Sequence, residues 1–111
     1  MKQRSVQDPA QDASIALGGL ARAFAALGTE AETLTFLRDL CTPAELEAMA
    51  DRWAVIPHLL VGVPYRDIHD RTGVSVTTIG RVARTYETGA GGYAAAVEKL
   101  GIAKLVSGRS L

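Results

Sequence analysis

One glycine, Gly73, lies at the centre of the spacing pattern that most constrains the fold of this chain. Apolar residues lie five positions before it and one, six and nine positions after it, at Ile68, Val74, Ile79 and Val82. Two helices that cross closely at a short turn need apolar side chains at such offsets, and glycine lets the backbone leave the first helix in a left-handed conformation. The pattern predicts a helix-turn-helix over about residues 64–86. His69 departs from it, because this crowded position usually holds a small residue such as alanine.

Capping signals predict two helices before this motif. A hydroxyl followed three positions later by a carboxylate, the form of a capping box, occurs at Thr29–Glu32 and at Thr42–Glu45. These signals predict a short helix near 30–40 and a long one near 43–61. Pro57 lies inside the long helix and is expected to kink it, because proline removes a backbone hydrogen bond. Trp53 of the same helix is expected to be a core or interface side chain.

An apolar stripe precedes these signals. Its members recur at steps of three and four and are Leu17, Leu20, Phe24 and Leu27, followed by Leu34, Leu37 and Leu40. The first four predict a helix over about residues 10–27 that ends at Gly28. The stripe is expected to pack in a core, and its packing partner is either this chain or a second copy.

Glycine, proline and serine residues divide the second half of the chain. Helix ends or starts are expected at Gly62, Pro64, Gly73 and Ser75. The helix after Ser75 should run to about Thr88, the GAGG run at 89–92 breaks the chain, and a last helix is predicted over 93–106. No segment alternates in polarity for long enough to predict a strand. The expected fold is therefore all-α, with six helices in a single domain over residues 1–111.

Composition argues against several classes of protein. No apolar run approaches the ~20 residues of a membrane-spanning helix, and residues 1–14 lack the apolar stretch of a signal peptide, so a cytoplasmic protein with no membrane partner is expected. Cys41 is the only cysteine, and His58 and His69 lie apart without a cysteine partner, so no metal site is expected. An enzyme is not expected either, because no nucleophile set, phosphate-binding loop or carboxylate pair is found.

Basic residues are enriched where the motif lies. The net charge of zero argues weakly against nucleic acid binding, but residues 1–63 carry a charge of −3, residues 64–86 carry +2 and residues 87–111 carry +1. The face of the second motif helix that is not used for packing holds hydroxyls, a glycine and arginines, which suit close approach to base edges and phosphates. Its members are Ser75, Thr77, Thr78, Gly80, Arg81 and Arg84.

Several motifs in combination resemble the Trp repressor superfamily. They are Thr42-Pro43-x-Glu45-x-Glu47-Ala48, Arg52, Leu59-Leu60-x-Gly62, Tyr65-Arg66-Asp67-Ile68 and the run from Thr72 to Val82. Gly89-x-Gly91-Gly92-Tyr93 is more similar to the YerC/YecD branch than to the tryptophan-sensing repressors. The resemblance covers about residues 30–102. It implies an all-helical, intertwined homodimer whose N-terminal helices interlock and whose fourth and fifth helices bind double-stranded DNA.

The implied function is that of a sequence-specific transcriptional regulator, a repressor, that reads a near-palindromic operator. Two reading helices of a dimer lie about one turn of DNA apart, which explains the expected palindrome. The residues expected to approach base edges are Val76, Thr77, Gly80 and Arg81, and those expected to contact phosphate are Arg66, Thr78 and Arg84, with Ser75 at the start of the helix. A helical protein–protein interaction module without DNA binding is the alternative that the neutral net charge favours.

A corepressor is the second open question. In tryptophan-binding members, two arginines sandwich the indole ring, and their positions are Arg52 and Arg81 here, while Thr85 keeps a hydroxyl where those members have serine. Val82 stands where they have glycine, and its branched side chain would intrude beside the ring. No cofactor is therefore expected, with Arg52 pairing acidic neighbours and Arg81 facing phosphate. A repressor that needs tryptophan or a similar amino acid is the alternative.

Overall fold

The structure, a computed structural model, describes residues 9–102, and this part of the chain forms six helices and no strand. The helices are α1 (Pro9–Ala26), α2 (Glu30–Leu40), α3 (Pro43–Leu60), α4 (Tyr65–Thr72), α5 (Val76–Thr88) and α6 (Gly92–Leu100). The predicted all-α fold class is confirmed. The helices belong to two compact units that divide between Thr42 and Pro43, with α1 and α2 in the first unit and α3 to α6 in the second. The single domain expected for the whole chain stays a prediction.

In the first unit, the predicted cap of α2 forms with one change. The Thr29 hydroxyl accepts a hydrogen bond from the Glu32 amide at 3.1 Å, as expected of an N-cap. The Glu32 carboxylate reaches back to the Gly28 amide at 2.8 Å, one residue earlier than in a standard capping box. The Phe24 and Phe36 rings then meet edge to face, with their centroids 5.1 Å apart. Local hydrogen bonds and one aromatic pair thus organise this unit.

The apolar side chains of the first unit, including its stripe, are only partly covered. None of the described side chains of α1 and α2 is buried. Four large apolar side chains are between 46% and 67% exposed, and they are Ile15, Leu17, Leu34 and Leu40. The expected core packing of this stripe is therefore incomplete within one chain.

The second unit has a core of its own. Its buried side chains are Val55, Ile56, Ile68, Val74, Ile79, Val82 and Val97. All four apolar residues of the spacing pattern around Gly73 belong to this cluster, which confirms that they join the two helices of the motif. Trp53 packs against the cluster and stacks on Tyr93, with the ring planes 13° apart, as expected of a core side chain.

The two ends of α3 agree with the sequence. Pro43 is its first residue, where a missing amide donor costs nothing. Pro57 lies inside α3 without dividing it, and the helix continues to Leu60. Its end is closed by hydrogen bonds from the Gly62 amide to the Leu59 carbonyl and from the Val63 amide to the His58 carbonyl, the pattern of a Schellman motif.

The last helix ends earlier than predicted. The expected continuous helix over 93–106 is wrong at Gly101, which adopts a left-handed conformation with φ 73° and whose amide closes α6 on the Glu98 carbonyl. Residues 103–106 of that prediction lie outside the described residues. Val97 is buried, but Leu100 is 64% exposed, so the expected apolar side of α6 is only partly covered. Leu105, the remaining member of that side, lies outside the described residues. No helix among residues 9–102 combines the length and apolar character needed to cross a membrane.

Candidate nucleic-acid interface

A tight turn joins α4 to α5. The first helix of the pair ends at Gly73, whose backbone is left-handed with φ 79° and whose amide donates to the His69 carbonyl at 2.8 Å. Other residue types pay roughly 1–2 kcal/mol for this conformation, so the predicted role of the glycine is confirmed. The chain then needs only Val74 and Ser75 before the second helix begins.

Ser75 starts the second helix as predicted. Its side-chain oxygen accepts a hydrogen bond from the Thr78 amide at 3.1 Å, and its own hydroxyl donates to the Thr78 hydroxyl oxygen at 3.0 Å. The cap satisfies one of the free amides of the first turn. Because Thr78 accepts from Ser75, the proton of the Thr78 hydroxyl stays available for an outside acceptor such as a phosphate oxygen.

The two sides of α5 differ sharply in burial. Ile79 and Val82 are buried in the core. At 100° per residue, Thr77, Arg81 and Arg84 lie on the opposite side of the helix, and all three are exposed. The structure thus brings these three predicted residues together on one accessible face, which we call the reading face. It presents one hydroxyl and two guanidinium groups, which can donate hydrogen bonds to phosphates and to guanine edges.

Three other predicted DNA-contacting residues lie outside the reading face. Val76, in the first turn of α5, is 49% exposed and offers an apolar surface of the kind that meets a thymine methyl group. Arg66 is exposed on α4. Gly80 is half-buried at the edge of the reading face. A β-carbon built on it would lie 3.8 Å from Cε2 of Tyr65, so a side chain at this position would point towards the start of α4.

The residues implied in corepressor binding are also accessible. Arg52 on α3 and Arg81 and Thr85 on α5 are all exposed. Val82 is enclosed in the core cluster, with 1% of its surface exposed. No group of three or more His, Cys, Asp or Glu side chains is placed to hold a metal ion within residues 9–102.

Sequence reasoning missed the polar side chains that hold the turn. His69 Nδ1 lies 2.7 Å from the Val74 carbonyl oxygen, and the Thr72 hydroxyl accepts from the Val74 amide at 3.1 Å. The only signal in the sequence was the departure of His69 from the small residue usual at its position. That departure is now explained by a hydrogen bond that crosses the turn.

The chain is similar to known proteins in both sequence and structure. The Trp repressor protein family matches residues 16–101. YerC of Bacillus subtilis (strain 168), named an uncharacterized protein, is 36% identical over 69 residues, which cover 62% of this chain and 66%, slightly under two thirds, of YerC. A crystal structure from Staphylococcus aureus, described as that of a "putative Trp repressor", has a TM-score of 0.74 and 31% identity, and the match covers 79% of this chain and 88% of the other.

Proposed function

Since this chain belongs to the Trp repressor family as a YerC-type member, we propose that it is a sequence-specific regulator that represses transcription by binding duplex DNA. The family is one of DNA-binding regulators rather than enzymes. The observation that carries the proposal is the reading face: Thr77, Arg81 and Arg84 are exposed on the side of α5 opposite its buried residues. The second helix of a helix-turn-helix enters the major groove with such a face.

The proposed DNA contacts divide by chemistry. The base edges are approached by Val76, Thr77, Gly80 and Arg81, near the start of α5. Phosphates are bound by Arg66, Thr78 and Arg84, with Ser75 holding the first turn of α5 in place. Base contacts determine sequence preference, whereas phosphate contacts add affinity for any duplex.

The regulator acts as a homodimer. The first unit supports this step, because Ile15, Leu17, Leu34 and Leu40 present large apolar side chains that a single chain leaves accessible. Burying a Leu or Ile side chain contributes about 1.5–3 kcal/mol, so a second copy that covers these residues is favourable. Half-sites one turn apart on DNA are separated by about 34–36 Å, so a dimer that binds a near-palindromic operator needs its two reading faces at that spacing. The proposed location is the cytoplasm, where a bacterial-type regulator has access to DNA.

No tryptophan corepressor is required in this proposal. Arg52, Arg81 and Thr85 are accessible, but Val82 replaces the glycine that tryptophan binders have beside the ring. A titration of the purified protein with L-tryptophan, followed by calorimetry and by the melting temperature, is expected to give no saturable heat and no shift. A clear saturable response would replace this proposal with a tryptophan-dependent repressor.

The experiment that tests DNA binding is a fluorescence-anisotropy titration against a pool of random-sequence duplexes, repeated at salt concentrations from about 50 to about 200 mM. Affinity is expected to fall steeply with salt, because each phosphate contact releases counterions. An absence of binding at the lowest salt would favour the protein–protein interaction module, for which the zero net charge of the chain is the supporting observation.

Two variants separate the two classes of contact. Arg84→Ala is expected to weaken binding to all duplexes alike and to reduce the slope of log affinity against log salt by about 1. Thr77→Ala is expected to change the preference among selected sites instead. Arg38→Ala, which removes an exposed arginine of α2, is the matched control and should leave the preference unchanged. Equal effects of the Thr77 and Arg84 variants on every site would contradict the division.

A further inference from the structure

The backbone of Val74 is held from both sides by side chains of α4. Its carbonyl oxygen lies 2.7 Å from His69 Nδ1, and its amide donates to the Thr72 hydroxyl oxygen at 3.1 Å. The Thr72 hydroxyl in turn donates to the Ile68 carbonyl at 2.7 Å. Since a carbonyl oxygen only accepts, Nδ1 of His69 carries the proton in this bond. We call the pair His69 and Thr72 the turn clamp.

The place of Val74 in the chain makes this clamp important. Val74 directly precedes Ser75, the N-cap of α5, and directly follows Gly73, the least restricted residue of the turn. A left-handed glycine ends α4 without fixing the direction in which the next helix leaves. The apolar side chain of Val74 anchors it in the core, and the turn clamp adds two directional bonds to its backbone.

We propose that His69 is a positioning residue that fixes the orientation of α5, and with it the reading face, relative to α4. The inference rests on the proposed function, since orientation matters only to a helix that must meet base edges. Hydrogen bonds to bases require placement within a few tenths of an ångström, so a looser turn weakens specific contacts more than phosphate contacts. His69 acts through the backbone of Val74 and need not contact DNA itself.

Burial separates this role from general stability. The His69 side chain is exposed, so its replacement removes little apolar contact from the core. Its hydrogen bond, in contrast, is part-buried. Loss of the donor therefore affects the turn more than the rest of the second unit. This distinction lets variants at one position report on positioning without unfolding the protein.

The test compares two substitutions of nearly equal shape. His69→Asn places an amide donor close to the position of Nδ1 and is expected to keep the bond, whereas His69→Leu has the same branching but no donor. Leucine is also the better helix former, so His69→Leu does not weaken α4 through intrinsic propensity. If the leucine variant loses amide protection or DNA-binding specificity and the asparagine variant keeps it, the loss is therefore due to the missing hydrogen-bond donor.

The first readout is amide hydrogen exchange, which does not depend on DNA. In His69→Leu, the amides of Val74 and Ile79 are expected to exchange about fivefold faster, the change that corresponds to one ordinary hydrogen bond. The amide of Val55, in the core of α3, serves as the internal control and should not change. His69→Asn should resemble the parent protein at all three amides.

The second readout is the ratio of affinities for a selected operator and for random duplexes. This ratio is expected to fall about fivefold in His69→Leu and to recover in His69→Asn. Equal exchange and equal ratios in the two variants would overturn the positioning role. If the parent protein binds no duplex, the proposed function fails, and the exchange measurement alone still decides whether His69 orders the start of α5. Thr72→Val, which removes the other half of the turn clamp, should accelerate exchange of the same two amides.

Discussion

The two compact units of this chain reach their structures in different ways. The second unit buries seven apolar side chains from α3 to α6 in a common core, whereas no described side chain of α1 or α2 is buried. Both units carry regular apolar patterns in their sequences. The difference shows that an apolar stripe predicts a helix face but not what covers it. In the second unit the neighbouring helices of the same chain provide the cover, and in the first unit a second copy is the proposed cover.

Truncating the core of the second unit should have the largest effect. Ile68 is fully buried between the two helices of the motif, and Ile68→Ala removes methyl groups that neighbours cannot fully replace. We expect a loss of about 2–5 kcal/mol in the free energy of unfolding, measured by urea denaturation. A loss below about 1 kcal/mol would show that the second unit tolerates a cavity, and would remove the contrast between the units.

The first unit should respond to a similar change through assembly. Leu17 is 67% exposed in the single chain, so Leu17→Ala should have little effect on a monomer. In the proposed homodimer the same change removes a stabilisation of about 1.5–3 kcal/mol per copy, because the buried leucine side chain is lost, and it shifts the equilibrium towards the monomer. Sedimentation equilibrium measures this shift. Arg38→Ala, at another exposed position of the first unit, is the control. Identical dimerisation of the parent and Leu17→Ala would mean that this stripe is not the dimer contact.

The turn between α4 and α5 offers a smaller test within the second unit. A β-carbon on Gly73 meets no atom within 4 Å, so the cost of Gly73→Ala comes from the left-handed backbone alone. We expect a loss of about 1–2 kcal/mol in the free energy of unfolding. Gly73→Asn is the control, because asparagine tolerates this conformation better and should recover part of the loss. Equal losses in the two variants would point to a cause other than the backbone.

The sequence predicted most where the determining signal is local. The offsets of Ile68, Val74, Ile79 and Val82 from Gly73 are sufficient to place the motif and its buried face, because both follow from helix periodicity and one turn. The early end of α6 was missed because the apolar pattern continues past Gly101, whose left-handed backbone ends the helix. The apolar periodicity favours a longer helix, but the glycine cap at Gly101 ends it.

The candidate site was predicted unevenly for the same reason. The exposure of Thr77, Arg81 and Arg84 follows from helical spacing relative to the buried Ile79 and Val82. The turn clamp could not be predicted, because the bond from His69 to the Val74 carbonyl exists only once the turn has its three-dimensional shape. Side chains that cap local backbone groups across a turn depend on geometry that residue spacing alone does not define.

The smallest expected change in stability is a gain, at Gly80 of α5. A β-carbon there would lie 3.8 Å from Tyr65, an ordinary contact, so alanine fits without displacing its neighbour. Glycine inside a helix costs about 0.8–1.0 kcal/mol relative to alanine, so Gly80→Ala should stabilise the second unit by about 1 kcal/mol. A methyl group at the edge of the reading face should also hinder close approach to a base edge and weaken operator binding roughly tenfold.

Gly80→Ala is informative because its expected effects on stability and on operator affinity are opposite. A variant that is more stable but binds DNA more weakly would show that the glycine is needed for DNA binding and not for folding. Thermal unfolding and operator titration of the same sample measure both effects. Ala83→Gly, at a half-buried position one turn further along α5, is the reverse control and should lose stability without changing the outline of the reading face. A stabilised Gly80→Ala variant with unchanged operator affinity would instead show that DNA binding does not need a glycine at this position, and would restrict the base-edge contacts to Val76, Thr77 and Arg81.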